Sequence, residues 1–303
     1  MWLARKFCLW LPERPSTLWG MNFIQLVTHD GAPLVATELG HGERAILLAG
    51  ATGVPQRFYT RFAQHLAARG LRVLTLDYRG IGQSRAEVPP PDSMRSWAED
   101  DLDAAIRYLR DTSAAVAVVG HSFGGQALGL CPSNAAVCAL LGVSAQSGHW
   151  RLWDGIDRAW MWTMMHVVLP AILTVRRDVP GGVLGPDPLP GTVAREWARW
   201  CRGPHYIADA TGQPLRDGFA QWTGQARLYE ISDDHRYAPP RAVAELASFY
   251  ARAQVEIQRR TPQDWGVDRL GHFDFFRPTA RAGWDEAADW LTSQLDQALS
   301  KTR

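Results

Sequence analysis

The feature that most constrains the fold of this chain is a repeated alternation of buried strands with amphipathic helices. Continuous apolar runs at 45–50 and 115–120 are typical of central strands in a parallel sheet, and a further strand is expected at 71–80. Between them, the segments 55–70 and 94–111 repeat apolar residues along one helical face. Strands that alternate with helices of this length imply right-handed crossovers and a sheet covered on both faces. The sequence therefore predicts an α/β fold with a mostly parallel central sheet flanked by helices.

The alternation extends toward both ends of the chain. Two short strands are expected within 23–39, around an Asp30-Gly31 turn. A further apolar strand is expected within 138–148. The last part of the chain then predicts a strand, a helix, a second strand and a final amphipathic helix, at 226–232, 239–253, 255–260 and 282–299.

The alternation is interrupted once, between residues 150 and 225, where the sequence becomes irregular and rich in proline and aromatic residues. Residues 1–20 precede the first predicted strand and lack an amphipathic period. We therefore expect an N-terminal extension at 1–20, a core formed by 21–149 and 226–303, and an insertion at 150–225.

Composition excludes several classes of function. The 32 basic and 31 acidic residues nearly balance, which indicates neither a nucleic acid nor an anionic membrane as partner and leaves a small molecule as the expected one. The four cysteines are far apart and show no zinc-ligand spacing. No apolar stretch is long enough for a membrane span or a secretion signal. We expect a cytoplasmic protein.

The stretch "AVAVVGHSFGGQAL" at 115–128 predicts a mount for a serine nucleophile. A serine can attack a carbonyl only if its side chain projects free of the backbone and a base removes its proton. A tight turn from a strand into a helix provides that projection, and it requires small residues two positions before and after the serine. Gly120 and Gly124 stand at those two positions around Ser122. The alternative is a structural turn in which Ser122 only caps the helix.

A serine nucleophile also needs two N–H donors for the oxyanion that develops during attack. One donor is expected from the residue after the serine, Phe123, at the start of a helix. The other is expected from the loop "LLAGATGVP", where Gly50 and Gly53 let the backbone approach a ligand. Ala51 is the predicted second donor; a tight turn without a ligand is the alternative.

The base and the acid are expected after the insertion. His272, in "RLGHFDFF", follows the last predicted strand and is the predicted base. His235 directly follows two aspartates, so it could scarcely turn back to orient on them. Asp233 and Asp234 both follow the strand at 226–232, and Asp234 is favoured as the acid, with Asp233 left open.

The order serine, acid, histidine on this pattern resembles the α/β-hydrolase superfamily over residues 21–300. "GHSFGG" is similar to the family's nucleophile elbow, and "DYRGIGQSR" is similar to the turn after its fourth strand. Together with "GVPQRFYTRFA" and "LGHFDFFR", these motifs resemble bacterial predicted serine hydrolases close to the serine aminopeptidase-like branch. Many relatives have His-Gly where this chain has Ala49-Gly50. The resemblance implies an α/β-hydrolase fold in which 150–225 forms a cap over the active site.

The expected function is hydrolysis of a carboxylic ester, or a related acyl bond, by Ser122, His272 and Asp234 through an acyl-enzyme, without a metal or an organic cofactor. A carboxylesterase-like enzyme is favoured. A thioesterase, a peptidase or an amidase would use the same residues, and a non-catalytic ligand-binding protein of the same fold is the alternative from another class. Seven of the 14 tryptophans fall between 150 and 222; they could line an acyl pocket or only pack the cap onto the core.

Overall fold

The structure is a computed structural model that describes residues 21–85 and 91–302. The prediction of an N-terminal extension at 1–20 lies outside the described residues.

An eight-stranded sheet forms the centre of the molecule, with the strand order β1-β2-β4-β3-β5-β6-β7-β8. β1 pairs antiparallel with β2, and β2 pairs antiparallel with β4. The neighbouring strands β4, β3, β5, β6, β7 and β8 are all parallel to one another. The mostly parallel sheet predicted from the alternation is therefore confirmed. The strands are β1 Met21–Val27, β2 Pro33–Leu39, β3 Arg44–Ala49, β4 Arg72–Leu76, β5 Ala115–His121, β6 Val137–Val143, β7 Gln225–Ile231 and β8 Gln254–Arg260.

Ten α-helices are found in the described part of the chain. They are α1 Thr60–Ala68, α2 Met94–Ser96, α3 Asp103–Thr112, α4 Phe123–Ala127, α5 Gly155–Thr163, α6 Leu169–Val175, α7 Gly191–Arg202, α8 Asp217–Gln221, α9 Pro240–Phe249 and α10 Arg281–Thr302. π-helical turns join α2 to α3 and α5 to α6. Ser93 caps α2 by accepting from the Ser96 N–H, at the position where the sequence predicted a helix start.

Helices cover both faces of the sheet. Alternate strand residues point to opposite faces, so Leu47 belongs to the apolar cluster that contains α3 and α9, while Ile46 belongs to the cluster that contains α1 and α10. The central strand β5 is buried along its whole length, as expected for a strand covered on both sides. The carboxyl ends of β3, β5, β6 and β7 therefore lie side by side at one edge of the sheet.

The predicted insertion forms helices α5 to α8 between β6 and β7. Its side chains do not form a core of their own. Trp153, Trp200 and Trp222 are buried in the same apolar cluster as the sheet residue Leu47. This segment is thus anchored to the core by large side chains, which supports the packing alternative for Trp200 and Trp222.

No helix within the described residues is long and apolar enough to cross a membrane. Cys131, Cys138 and Cys201 are free thiols.

Candidate active site

Ser122 occupies a strained turn between β5 and α4. Its φ of 52° and ψ of −114° lie outside the regions that residues other than glycine ordinarily adopt. A Cβ at Gly120 would come within 2.3 Å of the Gly125 nitrogen, and a Cβ at Gly124 within 2.0 Å of the Ala49 carbonyl oxygen. The two glycines are therefore required by the close approach of the backbone, which holds Ser122 at the start of a helix.

His272 and Asp234 form a buried hydrogen-bonded pair. Asp234 follows β7, and its Oδ2 accepts from His272 Nδ1 over 2.7 Å. Only 3% of Asp234 and 8% of His272 are exposed, so little water competes for this hydrogen bond. Because Nδ1 donates, the Nε2 atom of the neutral imidazole is left free to accept a proton.

The neighbouring residues of this pair have different environments. Asp233 accepts from the backbone N–H groups of Leu270 and Gly271, each over 3.0 Å, and so holds the loop that carries His272. His235 is exposed at the surface. The structure thus places Asp234 against the histidine and gives Asp233 a role in fixing the loop.

Ser122 and His272 line one pocket at the carboxyl edge of the sheet. No hydrogen bond joins the Ser122 hydroxyl to His272 within the described residues. Such contacts are often long in the absence of substrate and shorten when it binds.

Ala51, the predicted second donor, already has a hydrogen-bond partner. Its N–H is already engaged, because it donates to the hydroxyl of Tyr59 over 2.9 Å. The N–H of the next residue, Thr52, makes no hydrogen bond within the described residues, and Thr52 also lines the pocket. Phe123 is the first residue of α4, where a backbone N–H has no partner inside the helix.

Tyr59 belongs to a buried network that the sequence analysis missed. The carbonyl oxygen of His272 lies 2.7 Å from Nε2 of His121, so Nε2 carries the proton and Nδ1 is an acceptor. Tyr59 therefore donates to His121 Nδ1 over 2.9 Å, while its oxygen accepts from Ala51. This chain of hydrogen bonds joins the loop after β3, the residue before Ser122 and the backbone of His272.

Burial sets the protonation of this network. Desolvation, and then the neighbouring His272, hold the pKa of His121 well below its ordinary value. Burial likewise raises the pKa of Tyr59. Both side chains are therefore neutral near pH 7, which is the state that the hydrogen-bond directions require. No local signal in the sequence identifies Tyr59, whose partners are brought together only by the fold.

Large apolar side chains from 150–225 form much of the pocket wall. They are Trp153, Trp160, Met161, Met165, Leu184 and Trp197. The cavity between these side chains is partly open to solvent and measures about 40 Å³, room for roughly three waters at about 10–15 Å³ each. Trp162 is 41% exposed and stacks on His166. It lies outside this wall because residues two apart on a helix point in nearly opposite directions.

Comparison with known proteins agrees with this architecture. Residues 39–284 match the alpha/beta hydrolase family, and the chain belongs to that family. No curated protein is significantly similar in sequence.

Solved structures show the same fold. An esterase of Pyrococcus furiosus, Pf2001, superposes with a TM-score of 0.63 at 13% identity, over 91% of this chain and 92% of that one. The esterase EaEST of Exiguobacterium antarcticum superposes with a TM-score of 0.58 at 15% identity, over 88% of this chain and 98% of that one. At such identities the likeness concerns the fold.

Proposed function

We propose that this protein is a serine hydrolase that cleaves a carboxylic ester of a small acyl group. One observation carries the proposal: Ser122 projects from a strained strand-to-helix turn into the pocket that His272 also lines, and His272 is held by Asp234 over 2.7 Å. A serine, a histidine with a free Nε2 and a buried carboxylate are the three groups that acyl transfer requires. The esterase names of the two similar structures support the same reaction class.

The reaction follows from the roles of these groups. His272 Nε2 removes the hydroxyl proton as Ser122 Oγ attacks the ester carbonyl, and Asp234 stabilises the resulting imidazolium. The imidazolium then gives its proton to the leaving alcohol oxygen as the carbon–oxygen bond breaks, which leaves an acyl group on Ser122. A water molecule, deprotonated by His272, attacks that acyl group and releases the carboxylic acid.

The oxyanion is bound by backbone N–H groups at the edge of the pocket. Phe123 supplies one N–H, supported by the position of this residue at the start of α4. The loop after β3 supplies the other. The free N–H of Thr52 is the proposed donor, since Ala51 could contribute only by giving up its hydrogen bond to Tyr59.

The exchange Tyr59→Phe distinguishes these two donors. Removal of the hydroxyl frees the Ala51 N–H and leaves His121 Nδ1 without its partner. If Thr52 is the donor, kcat falls because the network that holds the loop is broken. An increase in kcat at unchanged stability would show that Tyr59 withholds the Ala51 donor.

The segment 150–225 acts as a cap that sets substrate choice. Its tryptophans and methionines provide most of the apolar wall, so they determine what fits beyond the carbonyl carbon. The small cavity favours a short acyl group. The three free cysteines, Cys131, Cys138 and Cys201, are consistent with the reducing conditions of the cytosol, where we propose that the enzyme acts.

A fluorophosphonate probe tests the nucleophile directly. The wild type should be labelled covalently, and Ser122→Ala should lose both labelling and ester hydrolysis while its thermal unfolding is retained. Ser248→Ala, at an exposed serine, is the matched control and should be labelled normally. Labelling of Ser122→Ala at the wild-type rate would contradict the assignment.

The bond that is cleaved can be identified with matched substrates. Esters, thioesters and peptide amides of the same short acyl group should be compared by kcat/KM. We expect the esters to be preferred; a preference for thioesters or amides would indicate a thioesterase or a peptidase with the same residues. Binding of acyl ligands without labelling or turnover would indicate a non-catalytic ligand-binding protein.

A further inference from the structure

The segment that follows β6 contains an unusual group of buried polar atoms. Ser144 Oγ, Gln146 Oε1 and Ser147 Oγ are buried without a hydrogen-bond partner among the described residues. Of these three residues, only Gln146 also lines the pocket that contains Ser122. Gln146 is therefore the unpaired polar group of this segment that a ligand in the pocket could contact.

Gln146 is 7% exposed, and its Oε1 atom is buried without a hydrogen-bond partner among the described residues. It offers an acceptor oxygen and two N–H donors. Much of the pocket wall is apolar, with Trp153, Met161 and Leu184 among its residues. A buried polar group without a partner is costly, so the free state is poised to gain a hydrogen bond from a ligand.

Arg236 is the permanently charged side chain of the pocket lining, and its charge is already paired. Arg236 lies 3.3 Å from Asp157 in an ion pair, and its guanidinium stacks over Trp160 at 5.2 Å. Its charge is thus balanced before a ligand arrives. A charged ligand group would lose its hydration in this apolar pocket without gaining a counter-ion, so the complementary group is neutral.

We propose that Gln146 binds a hydroxyl group on the acyl part of the substrate, an inference that rests on the proposed esterase function. A hydroxyl is the smallest neutral group that both donates and accepts, which matches the carboxamide. It also suits a cavity of about 40 Å³, which leaves room for few atoms. The preferred substrates are accordingly esters of short hydroxy acids.

The acyl side is favoured over the alcohol side because the acyl group stays bonded to Ser122 after the first step. Ser122 and Gln146 line the same cavity, at the ends of the adjacent strands β5 and β6. The alcohol must leave before water can attack, whereas the acyl group stays in the cavity. We therefore assign the wall of this cavity to the acyl group. Selectivity expressed there acts on both steps of the reaction.

Matched esters with one leaving group test this inference. We would compare kcat/KM for para-nitrophenyl β-hydroxybutyrate with isovalerate, and for the lactate with isobutyrate, because each pair exchanges a hydroxyl for a methyl group. The wild type should prefer the hydroxy ester in at least one pair. Gln146→Leu should reduce that preference by roughly 10- to 100-fold, the range expected for one buried hydrogen bond.

Two further measurements keep the result unambiguous. Ser147→Ala removes a neighbouring unpaired hydroxyl outside the pocket wall and should leave the preference unchanged. Thermal unfolding of Gln146→Leu should be at or above that of the wild type, because the exchange removes an unpaired polar group. A large loss of stability would show that Gln146 has a structural role and would overturn the inference.

The remaining outcomes separate this inference from the function on which it rests. Hydrolysis and fluorophosphonate labelling with no preference for a hydroxy ester would overturn the role of Gln146 and leave the esterase intact. A preference for a hydroxyl on the alcohol part alone would also overturn it. Failure of labelling and of hydrolysis would instead overturn the proposed function.

Discussion

The exchange of Asp234 for asparagine, compared with the same exchange at Asp233, separates catalysis from loop stability. The two carboxylates are adjacent in the chain, yet one accepts from His272 Nδ1 over 2.7 Å and the other from two backbone N–H groups over 3.0 Å each. Both exchanges are close to isosteric. The difference between them therefore reports on hydrogen bonding.

Asp234→Asn should abolish most activity with little loss of stability. An asparagine can present its NH₂ group to Nδ1, which moves the imidazole proton to Nε2 and removes the acceptor for the serine proton. In serine proteases this change costs about 10⁴ in kcat, which corresponds to about 5.4 kcal/mol at 1.36 kcal/mol per tenfold. KM should change much less, because Asp234 lies behind the histidine and does not line the pocket.

Asp233→Asn should act mainly on stability. Its single carbonyl oxygen can accept from only one of the N–H groups of Leu270 and Gly271, and its NH₂ group would face the other. Loss of one hydrogen bond to a charged acceptor costs about 1.5–3 kcal/mol, or roughly 3–10 °C in Tm for a domain of this size. We expect kcat to fall about tenfold at most, as the loop that carries His272 loosens.

The assay measures kcat with a para-nitrophenyl ester and Tm by circular dichroism for both variants. The pattern expected is a large loss of kcat without loss of Tm for Asp234→Asn, and the reverse for Asp233→Asn. A thousandfold loss of kcat in Asp233→Asn, with Asp234→Asn near wild type, would refute the assignment.

Three other exchanges test the turn, the pocket wall and the buried network. Gly124→Ala should prevent folding or lower the free energy of unfolding by more than about 4 kcal/mol, because its Cβ would lie 2.0 Å from a backbone carbonyl of β3. The control is Gly203→Ala, whose Cβ meets only contacts of 3.4 Å or more. It should be tolerated in the same denaturation assay. Trp160→Ala should change the ratio of kcat/KM between short and long acyl esters, whereas Trp162→Ala, on the exposed side of α5, should keep the wild-type ratio; equal effects would contradict the pocket geometry. The pKa of His121 is lowered by burial in the folded state. Its neutral form therefore contributes stability above about pH 6.5, and this stability is lost as the pH falls toward the folded pKa. The free energy of unfolding should change by up to about 1.4 kcal/mol per pH unit in that range. Urea unfolding between pH 7.5 and 5 should show a shallower slope for His121→Gln than for the wild type, and identical slopes would refute the attribution.

The sheet and the turn that holds Ser122 can be predicted from local signals in the sequence. The buried strand before Ser122 and the glycines on either side of it act through residues within two positions, so the turn could be predicted without knowing the rest of the fold. The cap of α2 at Ser93 is also local, because its side chain accepts from the N–H of Ser96 three residues later. His272 was singled out by its place between the last strand and the last helix.

Other features depend on contacts that no local pattern specifies. Which of two adjacent aspartates faces the histidine depends on where β7 ends and how the loop at 270–271 returns to it. The sequence does not show whether Trp160 or Trp162 lines the pocket. The packing of α5 on the core places Trp160 in the pocket wall and leaves Trp162 exposed. The engagement of Ala51 by Tyr59 likewise requires a side chain from the turn before α1.

The sequence by itself determined the α/β architecture and the mount of Ser122, because strand burial, helix periodicity and steric limits at glycine act over a few residues. The tertiary structure alone decided the partners of His272, the buried network through Tyr59 and His121, and the unpaired carboxamide of Gln146 in the pocket. The hydrogen bonds of His272 to Asp234, of Tyr59 to His121 and of His121 to the His272 carbonyl join groups 38 to 151 positions apart along the chain. The Oε1 atom of Gln146 has no partner among the described residues. Hydrogen bonding is directional and short-ranged, so its outcome is fixed only when the packed sheet brings those groups within 3 Å of one another.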